Sequence, residues 1–158
     1  MKTIIALILS LTLSGCITER ASIFTEADSR YTISPSQTVG ISFIRKSPSI
    51  KDRNFYNHLK LSLTDLGFSV VDARDSELII YYDIRDEYTD GYYFTVLCLR
   101  LFSKEQAGNR TPINIWDGII TVDTQEFEKY QRESASTLLE YLGKQSKLLT
   151  PLTKSRKK

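Results

Sequence analysis

The sequence predicts an α+β fold. It reads as a two-layer sandwich, a mixed four- to five-stranded sheet with two helices on one face. Three observations predict it. Two stretches, near residues 51–66 and 126–145, repeat apolar residues at helical spacing. Between and before them lie short runs rich in Val, Ile, Tyr and Phe, punctuated by Asp, Gly and Pro, which is strand and turn chemistry. The composition, 41% hydrophobic and 25% charged, is that of an ordinary globular domain with a real core.

The elements follow in order. Thr38 to Ile44 alternates, with Val39, Ile41 and Phe43 on one face, and predicts the first strand. Pro48 breaks the chain, and Ser49 or Asp52 can cap a helix over residues 51–66. Phe55, Leu59, Leu63 and Leu66 form its apolar stripe, His58 lies beside it, and Gly67 is placed to end it in a left-handed conformation. Phe68 to Val71 reads as a second strand and Asp72 to Ser76 as a polar turn. Glu77 to Ile84 is apolar on both faces through Leu78, Ile79, Ile80, Tyr81 and Tyr82, which predicts an interior strand. Arg85 to Gly91 reads as a hairpin loop with Asp90-Gly91 at its turn. Tyr92 to Phe102 and Ile113 to Val122 are the fourth and fifth strands, separated by a polar loop over residues 104–111. Phe127, Tyr130, Ser134, Leu138 and Leu142 predict one helix over residues 126–145. The first strand–helix–strand unit predicts a right-handed parallel crossover, and the later strands predict antiparallel hairpins.

The ends of the chain carry a different signal. Lys2 precedes an apolar run from Ile4 to Leu13, which is too short for a bilayer span of about 20 residues. Leu13-Ser14-Gly15-Cys16 follows and resembles a bacterial lipobox. The resemblance implies a signal peptide over residues 1–15, cleavage after Gly15, and acyl chains, palmitate among them, on Cys16. Several chains at ~0.8 kcal/mol per buried methylene anchor a protein stably to a lipid bilayer. Ile17 stands where inner-membrane lipoproteins often carry Asp. In a Gram-negative envelope this points to an outer-membrane anchor facing the periplasm. Residues 16–37, polar and rich in Ser and Thr, read as a lipidated tether, with Ile23, Phe24 and Tyr31 available for docking or a short edge strand. Residues 38–150 read as the single domain, and residues 151–158 as a basic tail. Lys154, Arg156, Lys157 and Lys158 hold four of the positive charges in a chain of net charge +2, and are candidate contacts to an anionic surface. The charge balance gives no case for nucleic acid.

Within this frame, Leu63-Thr64-Asp65-Leu66-Gly67-Phe68 leads into Ser76-Glu77-Leu78-Ile79-Ile80-Tyr81-Tyr82. Val96 to Phe102, a loop, and Ile115-Trp116-Asp117-Gly118 follow, then the closing amphipathic helix. From about Arg53 to Leu142 the chain resembles a bacterial lipoprotein family, domain of unknown function 4136. The resemblance implies an envelope lipoprotein fold and supplies no activity or catalytic residue.

The chemistry is sparse. The sequence contains no phosphate-binding glycine loop, nucleophile elbow or metal-ligand cluster, so no cofactor and no metal are expected. With Cys16 acylated, Cys98 has no disulfide partner, and its apolar run reads as a buried position. A Cys98–His58 catalytic pair would need two separate elements to meet. Trp116 reads as a core or sheet-face aromatic. Most of the Asp residues lie at turns, where their side chains bond the backbone. The distinctive group is the tyrosines near the hairpin. Tyr88, Tyr92 and Tyr93, beside Asp86, Glu87 and Asp90, are the candidate partner contact. The expected role is a non-enzymatic module that binds an envelope protein or supports an assembly. A small-ligand or enzymatic domain and a toxin-immunity lipoprotein are the alternatives.

Overall fold

The computed structural model describes residues 20–104 and 112–151. The lipobox with Cys16, the polar loop at 105–111 and the basic residues Lys154, Arg156, Lys157 and Lys158 lie outside the described residues. Strands β1 (Arg20–Ala27) and β2 (Thr38–Phe43) precede helix α1 (Ile50–Asp65). Then come β3 (Ser69–Val71), β4 (Leu78–Thr89), β5 (Tyr92–Ser103) and β6 (Ile113–Asp123). Helices α2 (Thr124–Lys129) and α3 (Gln131–Leu139) follow, and β7 (Ser146–Pro151) closes the described chain. The strands form one seven-stranded sheet in the order β3-β2-β4-β5-β6-β1-β7. β2 is parallel to both β3 and β4, and the other pairings are antiparallel.

The α+β class and the mixed sheet are as expected, but the counts are larger. The stretch read as a tether supplies β1, an interior strand between β6 and β7. Its alternation is real but thin: Ile23 and Thr25 are buried, while Phe24 and Glu26 point the other way and are exposed. Only pairing with β6, nearly a hundred residues later, gives that alternation a purpose. β7 occupies the segment expected to end the domain, so five of the seven strands, β2 to β6, match stretches read as strand, while β1 and β7 lie in the stretches read as the tether and the domain's end.

The helices bury one face of the sheet. α1 begins with a capping box: the Ser49 backbone N–H donates to Asp52 Oδ2 (2.7 Å), and the Asp52 N–H donates to Ser49 Oγ (3.1 Å). It ends as the glycine predicts. Gly67 has φ 91°, its N–H reaches Thr64 O, and the Phe68 N–H reaches Leu63 O (3.1 Å). Phe55, Leu59 and Leu63 of the stripe are fully buried, and the Phe55 ring lies 5.6 Å from Tyr82 and 5.8 Å from Phe127. The second predicted helix is two. At Tyr130 (φ −126°, ψ 41°) the backbone leaves helical geometry, so α2 and α3 run on separate axes. The break lets Phe127 enter the core beside Phe55 while Ala135, Leu138 and Leu139 bury a different stretch of helix. Neither Pro nor Gly marks it. Packing decides it. Gly143, at φ 73°, then turns the chain into β7.

Cross-strand register continues the core through the sheet. Ile80, Leu101 and Trp116 lie abreast, as do Ile84, Leu97, Ile120 and Ile23. Trp116 is 1% exposed, and its Nε1–H donates to Tyr141 O (3.0 Å), so it is a core aromatic as read. A Cβ at Gly118 would collide with the Trp116 ring, which explains a glycine in mid-strand.

Candidate protein-interaction site

β4 and β5 outrun their neighbours. β2 last bonds β4 where the Ile44 N–H reaches Tyr82 O (3.0 Å), and β6 ends opposite Phe94. Beyond these points the two strands stand as a free hairpin. Residues 85–89, expected in a loop, continue the ladder to Thr89↔Tyr92. The turn is only Asp90-Gly91, with φ of 52° and 87°, the two positive values that a tight hairpin turn requires. The sequence placed the turn correctly and overestimated the loop, because Arg85, Asp86 and Glu87 look polar enough to be one.

The hairpin carries aromatics on both faces. Tyr88 and Tyr93 are paired across the strands with ring centroids 4.7 Å apart, and Tyr92 lies 6.3 Å from Phe94. Tyr88, Tyr92 and Tyr93 are 62%, 65% and 64% exposed, while Tyr81 and Tyr82 belong to the sheet. The three predicted contact residues thus come together at one tip, with Glu87 and Asp90 exposed beside them.

The root of the hairpin is tied to α1 and α2. Lys51 Nζ lies 2.8 Å from Asp86 Oδ1 and 2.8 Å from Glu128 Oε1. Thr95, fully buried, donates to Asp86 Oδ1 (2.6 Å). Burial alone would raise the Asp86 pKa, but hydrogen bonds from Lys51 and Thr95 outweigh it and hold the carboxyl below its usual range. Burial likewise works against the Lys51 charge, but Asp86 and Glu128 outweigh it and keep its pKa raised. One cation therefore joins α1, the hairpin and α2. A cleft of about 560 Å³ opens beside this root, between Ile84–Glu87 and the loop containing Arg45 and Ser49.

The chemical alternatives fare differently. His58 lines an open cleft of about 410 Å³ between α1 and α2–α3, with Asn54, Glu128 and Arg132. Its Nδ1 is buried without a hydrogen-bond partner. Two of the titratable groups around it are engaged elsewhere: Glu128 with Lys51, and Arg132 with Asp65 (2.7 Å). Cys98 is buried on the opposite side of the sheet, where Arg85 Nη2 reaches its Sγ at 3.6 Å. The sheet thus separates Cys98 from His58. The sequence missed a second cluster on that side, Arg45 and Arg85 on Asp83 at 2.6 and 2.9 Å. The signal was Asp83 within an otherwise apolar strand.

Among the described residues no helix is long and apolar enough to cross a membrane. No family model matches the chain, and no curated protein matches it. Solved structures do share its fold. The PelC dodecamer from Paraburkholderia phytofirmans is 10% identical, with TM-score 0.57, and the match covers 79% of this chain and 99% of that one. A DUF4136 family protein from Bacteroides thetaiotaomicron is 7% identical, with TM-score 0.54 and coverage of 76% and 92%. A PDZ domain protein from Parabacteroides distasonis is 12% identical, with TM-score 0.52, and covers 90% of this chain but 41% of its own. The chain therefore has the fold of a DUF4136 family protein, in keeping with the resemblance read from the strand and helix motifs.

Proposed function

We propose that this chain is an envelope lipoprotein, held on a membrane by acyl chains on Cys16, that binds another protein through the β4–β5 hairpin and has no catalytic role. One observation carries the reading: three tyrosines, each nearly two-thirds exposed, sit on a short stiff arm whose turn and root are both fixed. Tyrosine brings a large contact area at low entropic cost, and a preorganised arm loses little freedom on docking. PelC, which shares the fold, is a dodecamer, so in that protein the fold supports subunit contacts. The lipobox resemblance supports the anchor, and Ile17 supports an outer-membrane, periplasm-facing position in a Gram-negative envelope. The basic residues Lys154, Arg156, Lys157 and Lys158 add attraction to anionic headgroups, at about 1 kcal/mol each near the surface.

The test is a pull-down from detergent-solubilised membranes with partners identified by mass spectrometry. The lipidated chain is expected to capture an envelope protein in stoichiometric amount. Changing Cys16→Ser is expected to lose it through mislocalisation, and Tyr88→Ala with Tyr92→Ala through lost contact. Undiminished capture by the double tyrosine variant removes the hairpin from the reading. The His58 cleft, with its orphaned Nδ1, is the place where a small-ligand role would reside, and ligand binding lost in His58→Ala would favour that role.

A further inference from the structure

Among the described residues no helix lies on the other face of the sheet; the turn at 72–76 crosses Gly40 at one end, and Arg45, from the loop after β2, reaches over it to Asp83. Register lays out the rest. One row across β4, β5, β6 and β1 reads Tyr81, Arg100, Asp117, Glu26. The next reads Asp83, Cys98, Ile119, Phe24, and the third Arg85, Val96, Thr121, Ser22. The middle of this surface is apolar, through Val96, Cys98 and Ile119, and Phe24 is 45% exposed beside it. The charges are unevenly divided: Arg85 and Arg100 stand with Asp83 on the β4–β5 half, Asp117 and Glu26 stand on the β6–β1 half, and Arg100 and Asp117 meet where the halves join, 3.5 Å apart.

We propose that this open face packs against the same face of a second copy of the chain, about a two-fold axis parallel to the strands and lying between β5 and β6. The inference uses a surface separate from the tyrosine hairpin and stands or fails without it. A rotation about that axis keeps each row level and reverses the strand order. Arg100 then faces the second copy's Asp117, and Cys98 faces its Ile119. Phe24 comes over the Asp83 carboxylate that Arg45 and Arg85 hold, within reach of a guanidinium plane. A two-fold contact needs a patch complementary to itself, and the divided charge around an apolar centre meets that need. The aligned arrangement is that of packed sheets about 10 Å apart. An axis across the strands does not work: it sets Asp83 against its own copy and Arg100 against Val96. Of these two arrangements the charge pattern therefore favours the axis parallel to the strands.

The experiment places a photo-crosslinking phenylalanine analogue at Phe24 in the full chain, in bacterial membranes. The expected product is a dimer adduct mapped to residues 81–85 of the other copy. Arg100→Asp alone and Asp117→Arg alone are each expected to reduce that adduct about tenfold, since each sets like charges together. Co-expressing the two variants is expected to restore it, because every facing pair is then opposite in sign. Restoration also shows that both variants fold. Absence of a dimer adduct, an adduct only with a different protein or at another segment, or equal yields from the single variants and the mixture would overturn the proposal.

Discussion

The two faces of the sheet are built from alternate residues of the same strands and do different work. On the helix side, Leu97, Leu99, Leu101, Tyr82 and Trp116 are buried to 1% exposure or less, and their packing with Phe55 and Phe127 is the core. On the other side, their immediate neighbours Val96, Arg100, Phe102, Tyr81 and Asp117 are half-buried or exposed. Charge there is not excluded but paired: Arg45–Asp83–Arg85 and Arg100–Asp117 span strands. A difference of one residue in register separates a position that determines stability from one available for contact.

The sharpest way to break this contrast is to truncate neighbouring apolar side chains on both faces to alanine. Leu97→Ala is expected to cost about 2–5 kcal/mol, because a fully buried leucine leaves a cavity in the core. Val96→Ala, one residue away on the open face, is expected to cost under about 1 kcal/mol. Urea unfolding of the two variants measures both, and equal losses would mean that the open face is as closely packed as the core.

Of intermediate size is the tie at the hairpin root. The Asp86 pKa is lowered in the folded protein, so its contribution to stability is present above the ordinary carboxylate pKa and is lost as pH falls through the folded value. Asp86→Asn is therefore expected to lower the melting temperature by a few degrees near neutrality and to match the parent in strong acid. The opposite sign applies to Lys51, whose raised pKa gives stability present below its unfolded value and lost as pH rises through the folded one. Thermal melts across pH give both limbs, and a gap between Asp86→Asn and the parent that persists in strong acid would show that Asp86 acts through packing and not through its charge.

The smallest effect belongs to the tip. Tyr88→Ala with Tyr92→Ala is expected to shift stability by no more than about 0.5 kcal/mol, since both rings are mostly in water. A large loss of stability in the same unfolding experiment would make these tyrosines structural and weaken their case as contacts.

Local signals were the readable ones. Ser49, Asp52 and Gly67 announced both ends of α1, Asp90-Gly91 the hairpin turn, and Trp116 a core position. Tyr88, Tyr92 and Tyr93 were named from the sequence because aromatics beside acidic turn residues are conspicuous. The open face was not legible, since β4 and β5 are apolar on both sides and give no sign of which side lacks helices. Asp83 fell inside the strand predicted over Glu77 to Ile84, but nothing near it in the sequence announced that it serves two arginines.

By itself the sequence determined the elements whose causes lie within a few residues: the capped first helix, the tight hairpin turn and the alternating strands. Tertiary structure alone decided that β1 is an interior strand, that the last helix breaks at Tyr130, and which face of the sheet stays open. Each depends on partners distant in the chain. β1 is held by β6 and β7, the break at Tyr130 by the demand of Phe127 for a place beside Phe55, and the open face by the three described helices settling on the opposite side. Backbone pairing and apolar burial reward contacts without regard to sequence separation, so their outcome becomes visible only once the whole sheet is assembled.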